Sequence, residues 1–279
     1  MKTIIKSRTR EVTIDTEGPV TIIGESINPT RRKKLIETLS ADDFSFVLEL
    51  AETQINAGAD ILDVNVGIPG VDDVRLLPLT AEALLANFDI PLCLDSPNPA
   101  AIEAALKVAK CKCIINSVTG EEKSLEDILP IAREYGAAVI GLTMDDDGIS
   151  NDPSRRLQIA EKIVERAVKA GIPAEDVIID PMAMAVSADT NSGLVTLETI
   201  GKVHRQLGLN ISFGASNVSF GLPSRGVLNS VFMAMAILKG LTCAIANPVS
   251  MTAIARAADL FLGRDDFAMR YVEHFQGGL

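Results

Sequence analysis

The sequence predicts an α/β fold, a single (β/α)8 TIM barrel preceded by a short N-terminal β-hairpin. Three observations lead there. Strand-then-helix units recur eight times at a spacing of roughly 30 residues, the period of a βαβ repeat. The strand segments are near-continuous apolar runs, as in parallel sheets covered on both faces. After the first core strand the chain reads Gly24-Glu25-Ser26-Ile27-Asn28, where an open doubly wound sheet would carry a glycine-rich phosphate fingerprint. With 279 residues and 47% hydrophobic content, the chain has the length for one such barrel and requires no second domain.

In chain order, alternating runs around 3–5 and 11–14, followed by the break Glu17-Gly18-Pro19, read as a hairpin. Residues 1–20 are assigned to it, with the role of closing the barrel bottom, and 21–279 to the barrel. TIIGES (21–26) is the first core strand; INPTRRKK is its loop, and a helix opened by Asp42 and Asp43 ends at Gly58. ILDVNV (61–66) is the second strand, followed by a loop through Gly67, Pro69 and Gly70 and a helix near 79–87. The stretch 92–117 is strand, helix, strand: the third strand ends in Asp95 and Ser96, Pro99 opens an Ala-rich helix, and the fourth ends in Asn116 and Ser117. AAVIGLT (137–143) is the fifth strand, with an acidic loop and a helix over 153–170. VIIDPM (177–182) and NISFGAS (210–216) are the sixth and seventh, followed by helices near 195–207 and 224–239. CAIANP (243–248) is the eighth, and 251–262 the last helix.

Composition narrows the function. A net charge of −11 without a basic stripe disfavours nucleic acid, whose phosphates would be repelled. Lys2, Lys6, Arg8, Arg10 and Glu11 interrupt any signal-peptide pattern, and no apolar run approaches the roughly 20 residues of a membrane span. Cys93, Cys111, Cys113 and Cys243 lie in or beside strand-like runs and read as free thiols, so a cytoplasmic location is expected. His204 and His274 lie away from strand ends, so neither a zinc site nor histidine-driven catalysis is expected.

In parallel barrels chemistry is assembled at the carboxyl ends of the strands. Those ends carry Glu25 and Asn28, Asp63 and Asn65, Asp95, Asn116, Thr143, Asp180, Ser216 with Asn217, and Asn247. They carry neither lysine nor arginine, which disfavours Schiff-base and phosphoryl-transfer chemistry and leaves a polar, largely non-basic mouth. Carboxylates accept paired N–H donors, and amides donate with one atom while accepting with the other. A reduced pterin presents that pattern, and Asp180, Asp95 and Asn116 supply the complement. Two other readings stay open: helix N-caps, which favour Asp, Asn and Ser, and a divalent cation held by Asp63, Asp95 and Asp180.

The blocks GESIN (24–28), LDVNVG (62–67), CLDSPNPAAIEAALK (93–107), INS (115–117), IGLTMDDDG (140–148), IIDP (178–181) and SNVSFG (216–221) together resemble the pterin-binding barrels. The chain is most similar to the methyltetrahydrofolate:corrinoid protein methyltransferases, and also to the folate domain of cobalamin-dependent methionine synthase and, more remotely, to dihydropteroate synthase. The resemblance runs in register from about Val20 to the final helix. It implies a pterin-anchoring aspartate at Asp180, a partner carboxylate at Asp95, a pterin-binding asparagine at Asn116, and at Asn217 the asparagine that approaches N5. Glu25, Asn28, Asp63, Asn65 and Ser216 complete the expected substrate-binding set, with Asn217 as the catalytic residue and no metal.

The implied reaction moves a methyl group between N5 of tetrahydrofolate and the cobalt of a corrinoid (cobalamin) carried by a separate corrinoid-binding protein, in the direction of tetrahydrofolate. An Asp-x-His-x-x-Gly corrinoid signature is absent here. A homodimer joined through outer helices is also implied. Dihydropteroate synthase carries a Ser-Arg-Lys-Ser type motif and an Arg-x-His where this chain has Ser216-Asn217-Val218-Ser219 and Ala246-Asn247-Pro248, which weighs against that condensing reaction; a non-catalytic pterin-binding protein is the other alternative. Methyltransferases of the family often have Gln where Phe220 stands. Residues 31–34 are read as a solvated loop that can also meet the folate tail, and 187–193 as a linker able to fold over the aminobenzoyl group.

Overall fold

A computed structural model describes residues 1–276. Strands β1 (Lys2–Lys6) and β2 (Glu11–Asp15) form the antiparallel hairpin, with Ile4 opposite Thr13. Their alternation puts Thr3, Ile5, Val12 and Ile14 on one buried face. Seven parallel strands follow: β3 (Thr21–Ile27), β4 (Ile61–Asn65), β5 (Leu92–Asp95), β6 (Ile114–Thr119), β7 (Ala138–Leu142), β8 (Val177–Asp180) and β9 (Cys243–Ala246). They curl in the order β8-β7-β6-β5-β4-β3-β9.

The stretch 210–216, predicted as the seventh barrel strand, forms two isolated bridges instead, Ile211 to Ile179 and Gly214 to Ile245. It still closes the ring. Ser212 donates its N–H to the Ile179 carbonyl at 2.9 Å, and the Ile245 N–H donates to the Phe213 carbonyl at 3.1 Å. Regular pairing stops because the chain folds back within this stretch: a Cβ on Gly214 would lie 2.9 Å from the Asn217 amide nitrogen.

The helices α1 (Lys33–Ser40), α2 (Ser45–Asn56), α3 (Asp73–Asn87), α4 (Pro99–Ala109), α5 (Glu122–Tyr135), α6 (Pro153–Ala170), α7 (Ser192–Leu207), α8 (Arg225–Lys239), α9 (Pro248–Phe261) and α10 (Met269–Gln276) cover the outside. The helix read as the last, 251–262, is followed by α10, and two boundaries differ from expectation for identifiable reasons. Asp42, at φ 56, turns the chain between α1 and α2, so part of the predicted loop is helical. The Asp72 side chain caps the Val74 N–H and starts α3 well before Pro78, which sits inside the helix. Asn98, Asp152 and Asn247 cap α4, α6 and α9 in the same way, each ahead of a proline at the first turn.

Two apolar clusters result. The larger lies between strands and helices; the smaller fills the barrel interior with Ile23, Ile61, Cys93, Ile114, Ala138, Ile140, Ile178 and Cys243. Ile5, Val12 and Ile14 of the hairpin belong to that interior cluster. Polar contacts seat the hairpin there: Asn210 donates its amide N–H to Thr3 Oγ1 at 2.8 Å and to the Ile14 carbonyl at 2.9 Å. Most of the interior residues sit at the amino ends of their strands, so the opposite end of the barrel is left open. Truncating Ile14→Ala removes buried methyl groups and is expected to cost about 2–5 kcal/mol in urea unfolding, whereas the solvent-facing Ile4→Ala is expected to stay within about 0.5 kcal/mol; equal effects would contradict this packing.

Candidate functional site

The open end holds a cavity of about 890 Å³. Three neighbouring strands build its floor. Asn65, Asp95 and Asn116 are paired in register across β4, β5 and β6, and Asp63 precedes Asn65 by one pleat. Asn116 donates its amide N–H to Asp63 Oδ1 at 3.1 Å, and Asn65 donates to Asp95 Oδ2 at 2.9 Å. Across the barrel, Asp180 ends β8, and its Oδ1 accepts the Met182 N–H at 2.7 Å. Glu25 on β3 accepts the Ser216 hydroxyl at 2.6 Å. The loop from Ser216 carries Asn217, which is exposed and whose N–H donates to the Gly214 carbonyl at 3.2 Å.

Nearly all the expected residues meet here. Glu25, Asn28, Asp63, Asp95, Asn116, Asp180, Ser216 and Asn217 all line the cavity. Asn65 does not; it stands behind Asp95 as a donor and turns its own oxygen to the Gly67 N–H at 2.8 Å. Asn247 lines the cavity and caps α9, so part of the capping reading holds. Asn28 likewise ties its loop, accepting the Thr30 N–H at 3.0 Å. Among the described residues, no group of three or more His, Cys, Asp or Glu side chains is arranged to hold a metal ion.

Burial governs the charges on this floor. Asp63 is 2% exposed, and its carboxyl is pushed well up, first by burial and then by the neighbouring Asp95 charge. Burial also raises Asp95, against the pull of the Asn65 hydrogen bond. Asp180 is pushed up to about 7 by burial, opposed by the Met182 N–H and the Arg156 charge. Glu25 is raised by burial as well, with Ser216, Arg225 and Arg32 acting in the other direction. The floor is therefore lined by carboxyl groups whose charged form burial opposes, with few donors from the protein itself to meet them.

The rim is different, and here the non-basic mouth needs correction. Arg31, Arg32 and Arg225 line the cavity together with Phe220. Arg31 lies over the Phe220 ring at 4.8 Å and Arg225 at 5.9 Å. Arg225 also donates to Ser219 Oγ at 3.0 Å and to the Ser216 carbonyl at 2.5 Å, bracing the loop that bears Asn217. These arginines sit in the loop after β3 and at the first residue of α8, beyond the strand ends, and long side chains carry their charge back to the opening. Their loop positions were the available signal in the sequence.

Comparison with known proteins follows the same lines. The chain is 30% identical over 267 residues to a methylcorrinoid:tetrahydrofolate methyltransferase of Eubacterium limosum, covering 92% of this chain and 96% of that protein. It is 30% identical over 244 residues to methionine synthase of Mycobacterium tuberculosis, covering 83% of this chain and 20% of that longer protein. Among solved structures, a Yersinia pestis dihydropteroate synthase in complex with a sulfonamide drug superposes with a TM-score of 0.72 over 94% of this chain and 99% of that one, at 17% identity. A dihydropteroate synthase from Clostridium difficile, in the presence of pteroic acid, gives 0.70 over 88% of this chain and 98% of that one, at 19% identity. That likeness supports the (β/α)8 fold, in which the irregular segment 210–216 takes the place of the seventh strand. The sequence pattern of the pterin binding enzymes matches residues 24–247, and the chain belongs to that family.

Proposed function

We propose that this protein is a methyltransferase that moves a methyl group between N5 of tetrahydrofolate and the cobalt of a corrinoid on a partner protein, in the direction of tetrahydrofolate. The observation that carries the reading is the near full-length likeness to a methylcorrinoid:tetrahydrofolate methyltransferase. The site's chemistry suits it. A pterin edge offers adjacent N–H and NH₂ donors, and Asp180, Asp95 and Asp63 are acceptors in need of donors. Asn116, tied to Asp63, reads the remaining edge. Arg31, Arg32 and Arg225 provide the charge for the glutamate tail at the opening.

The corrinoid supplies the methyl group and takes back the bonding electron pair when that group leaves. Tetrahydrofolate supplies the N5 lone pair, forms the new N–CH₃ bond, and then gives up its N5 proton to solvent. In this reading Asn217 turns its amide oxygen to the N5–H and keeps the lone pair aimed outward, toward a partner seated over the mouth. Its exposure fits a residue at the meeting point of two molecules. No helix among the described residues is long and apolar enough to cross a membrane. The cytoplasmic location remains part of the proposal. So does the homodimer, for which α8 offers an exposed apolar stripe of Val227, Val231, Met235 and Leu238.

The direct test mixes the protein with tetrahydrofolate and a methylated corrinoid protein and follows cobalt absorbance. Conversion of the methylated to the demethylated spectrum is expected; no conversion with folate demonstrably bound contradicts the reading. Asn217→Ala is expected to lower turnover about 10²-fold while changing folate affinity little, an equal loss in both excluding the N5 role. Asp180→Asn should abolish measurable tetrahydrofolate binding yet stabilise the free protein. The sign follows from its raised carboxyl: the folded protein holds a proton that the unfolded chain releases, so ionisation costs stability as pH climbs from about 4 to about 7. Above about pH 8 the substitution should gain a few kcal/mol, and near pH 4 nothing. Sedimentation reads the dimer: Val231→Asp with Leu238→Asp should give a monomer, and an unchanged mass would remove α8 from that role.

A further inference from the structure

Arg156 on α6 is 0% exposed and heads the largest fully buried side chains among the described residues. A guanidinium so placed would ordinarily be paired with a carboxylate. Among the described residues Arg156 has no such ion pair; carbonyls hold it instead. Its Nε donates to the Ser150 carbonyl at 2.6 Å, and one terminal nitrogen donates to the carbonyls of Pro181 at 2.5 Å and Met182 at 2.9 Å. The other terminal nitrogen is buried without a partner. One side chain thus ties the loop after β7 to the turn after β8. Its neighbour Arg155 does the ordinary thing, bonding Asp145 at 2.6 Å from a partly exposed position.

The turn that Arg156 holds is the one that orients Asp180. Met182 sits in the left-handed region at φ 61, a conformation costly for a side chain of this kind. Its carbonyl accepts Arg156 and, at 3.3 Å, the Thr196 hydroxyl, while its N–H meets Asp180 Oδ1 at 2.7 Å. The path from guanidinium to carboxylate is therefore one residue long: fork, carbonyl, strained turn, N–H, carboxylate. The same guanidinium is also the charge that acts on Asp180, and Asp180 reciprocally favours the charged state of Arg156.

We propose that Arg156 is the positioning residue of Asp180: it clamps the turn after β8 so that the carboxylate faces a donor-rich ligand edge, and it serves as that carboxylate's buried counter-charge. The role as ligand anchor rests on the pterin reading of Asp180; the clamp itself does not. Arginine is needed rather than lysine, because a planar fork spans carbonyls on two loops where a single ammonium reaches one. The floor thereby obtains a positive charge from behind, while the cations that line the cavity, Arg31, Arg32 and Arg225, stay at the rim.

The experiment measures tetrahydrofolate affinity from about pH 5 to about pH 9 for the wild type, Arg156→Gln and Arg156→Lys, with far-UV circular dichroism as the folding check. In parallel, the Asp180 carboxyl is titrated by ¹³C NMR in the ligand-free protein, its resonance assigned through Asp180→Asn. Removing the charge in Arg156→Gln should move both the carboxyl midpoint and the binding profile up by about one pH unit, an affinity loss of about fivefold at neutral pH that approaches about tenfold at about pH 5 and vanishes at alkaline pH. Arg156→Lys should keep a near wild-type midpoint and still bind more weakly at every pH. Unchanged midpoints in Arg156→Gln overturn the counter-charge, and wild-type affinity in Arg156→Lys overturns the clamp. Should Arg156→Gln not fold, the wild-type and Arg156→Lys pair decides. Should the wild type bind no tetrahydrofolate, the pterin reading fails and the NMR titration alone judges Arg156.

Discussion

Four carboxyl groups, Glu25, Asp63, Asp95 and Asp180, share the floor of one cavity, and burial works against the charge of each. Burying acids in this way is unfavourable unless donors meet them. The protein supplies few: one amide each for Asp63 and Asp95, a hydroxyl for Glu25, and a backbone N–H for Asp180. The remaining acceptor capacity is directed into the cavity. A ligand with a row of N–H donors would relieve that cost. The same arrangement explains why a metal-like reading of the aspartates from sequence alone was attractive and why the geometry gives it no support among the described residues.

The rest of the fold keeps this floor in place. Parallel register sets Asn65, Asp95 and Asn116 side by side, and a one-residue slip would turn them toward the helices. The hairpin's Ile5, Val12 and Ile14 fill the opposite end with apolar volume. Cys93 and Cys243 belong to that interior cluster, and burial pushes their thiols upward, Cys243 to about 12, so neither is a nucleophile. Where the seventh strand gives way to a folded-back segment, the chain gains the loop that lifts Asn217 to the surface beside Glu25 and Ser216.

Much of this was legible in the sequence because its signals are local. Apolar runs such as ILDV and VIID declare buried strands, and a polar residue ending each run marks the edge where chemistry collects. Asp95, Asn116 and Asp180 were found in that way and line one cavity. What the sequence hid depends on distant contacts. Arg156 stands beside Arg155 in PSRRLQIAEKIVERAVKA; helical spacing puts Arg156 in line with Ile159, Ala160, Ile163 and Ala167 and Arg155 in line with Gln158 and Lys162, but an arginine on an apolar face passes for a snorkelling side chain until the carbonyls that hold it are seen. The rim arginines lie outside the strand ends and reach back through long side chains. Asn65 alternates with Asp63 as a cavity residue should, yet its neighbour Asp95 claims its amide. The helices α1 and α10 have short amphipathic patterns that pass for loop and tail, and Pro78 disguised the start of α3.

If the buried acids are kept for a pterin, binding must expel protons. Asp180 is partly protonated near neutrality and must be a carboxylate to accept two N–H donors. Titration calorimetry of tetrahydrofolate at about pH 6.5, in two buffers of different ionisation enthalpy, reads this directly. Release of up to about one proton per site, fading as pH rises past about 8, is the predicted result. Tight binding with the same heat in both buffers would mean that the ligand does not engage Asp180 as an anion, and the carboxylate floor would lose its assigned purpose.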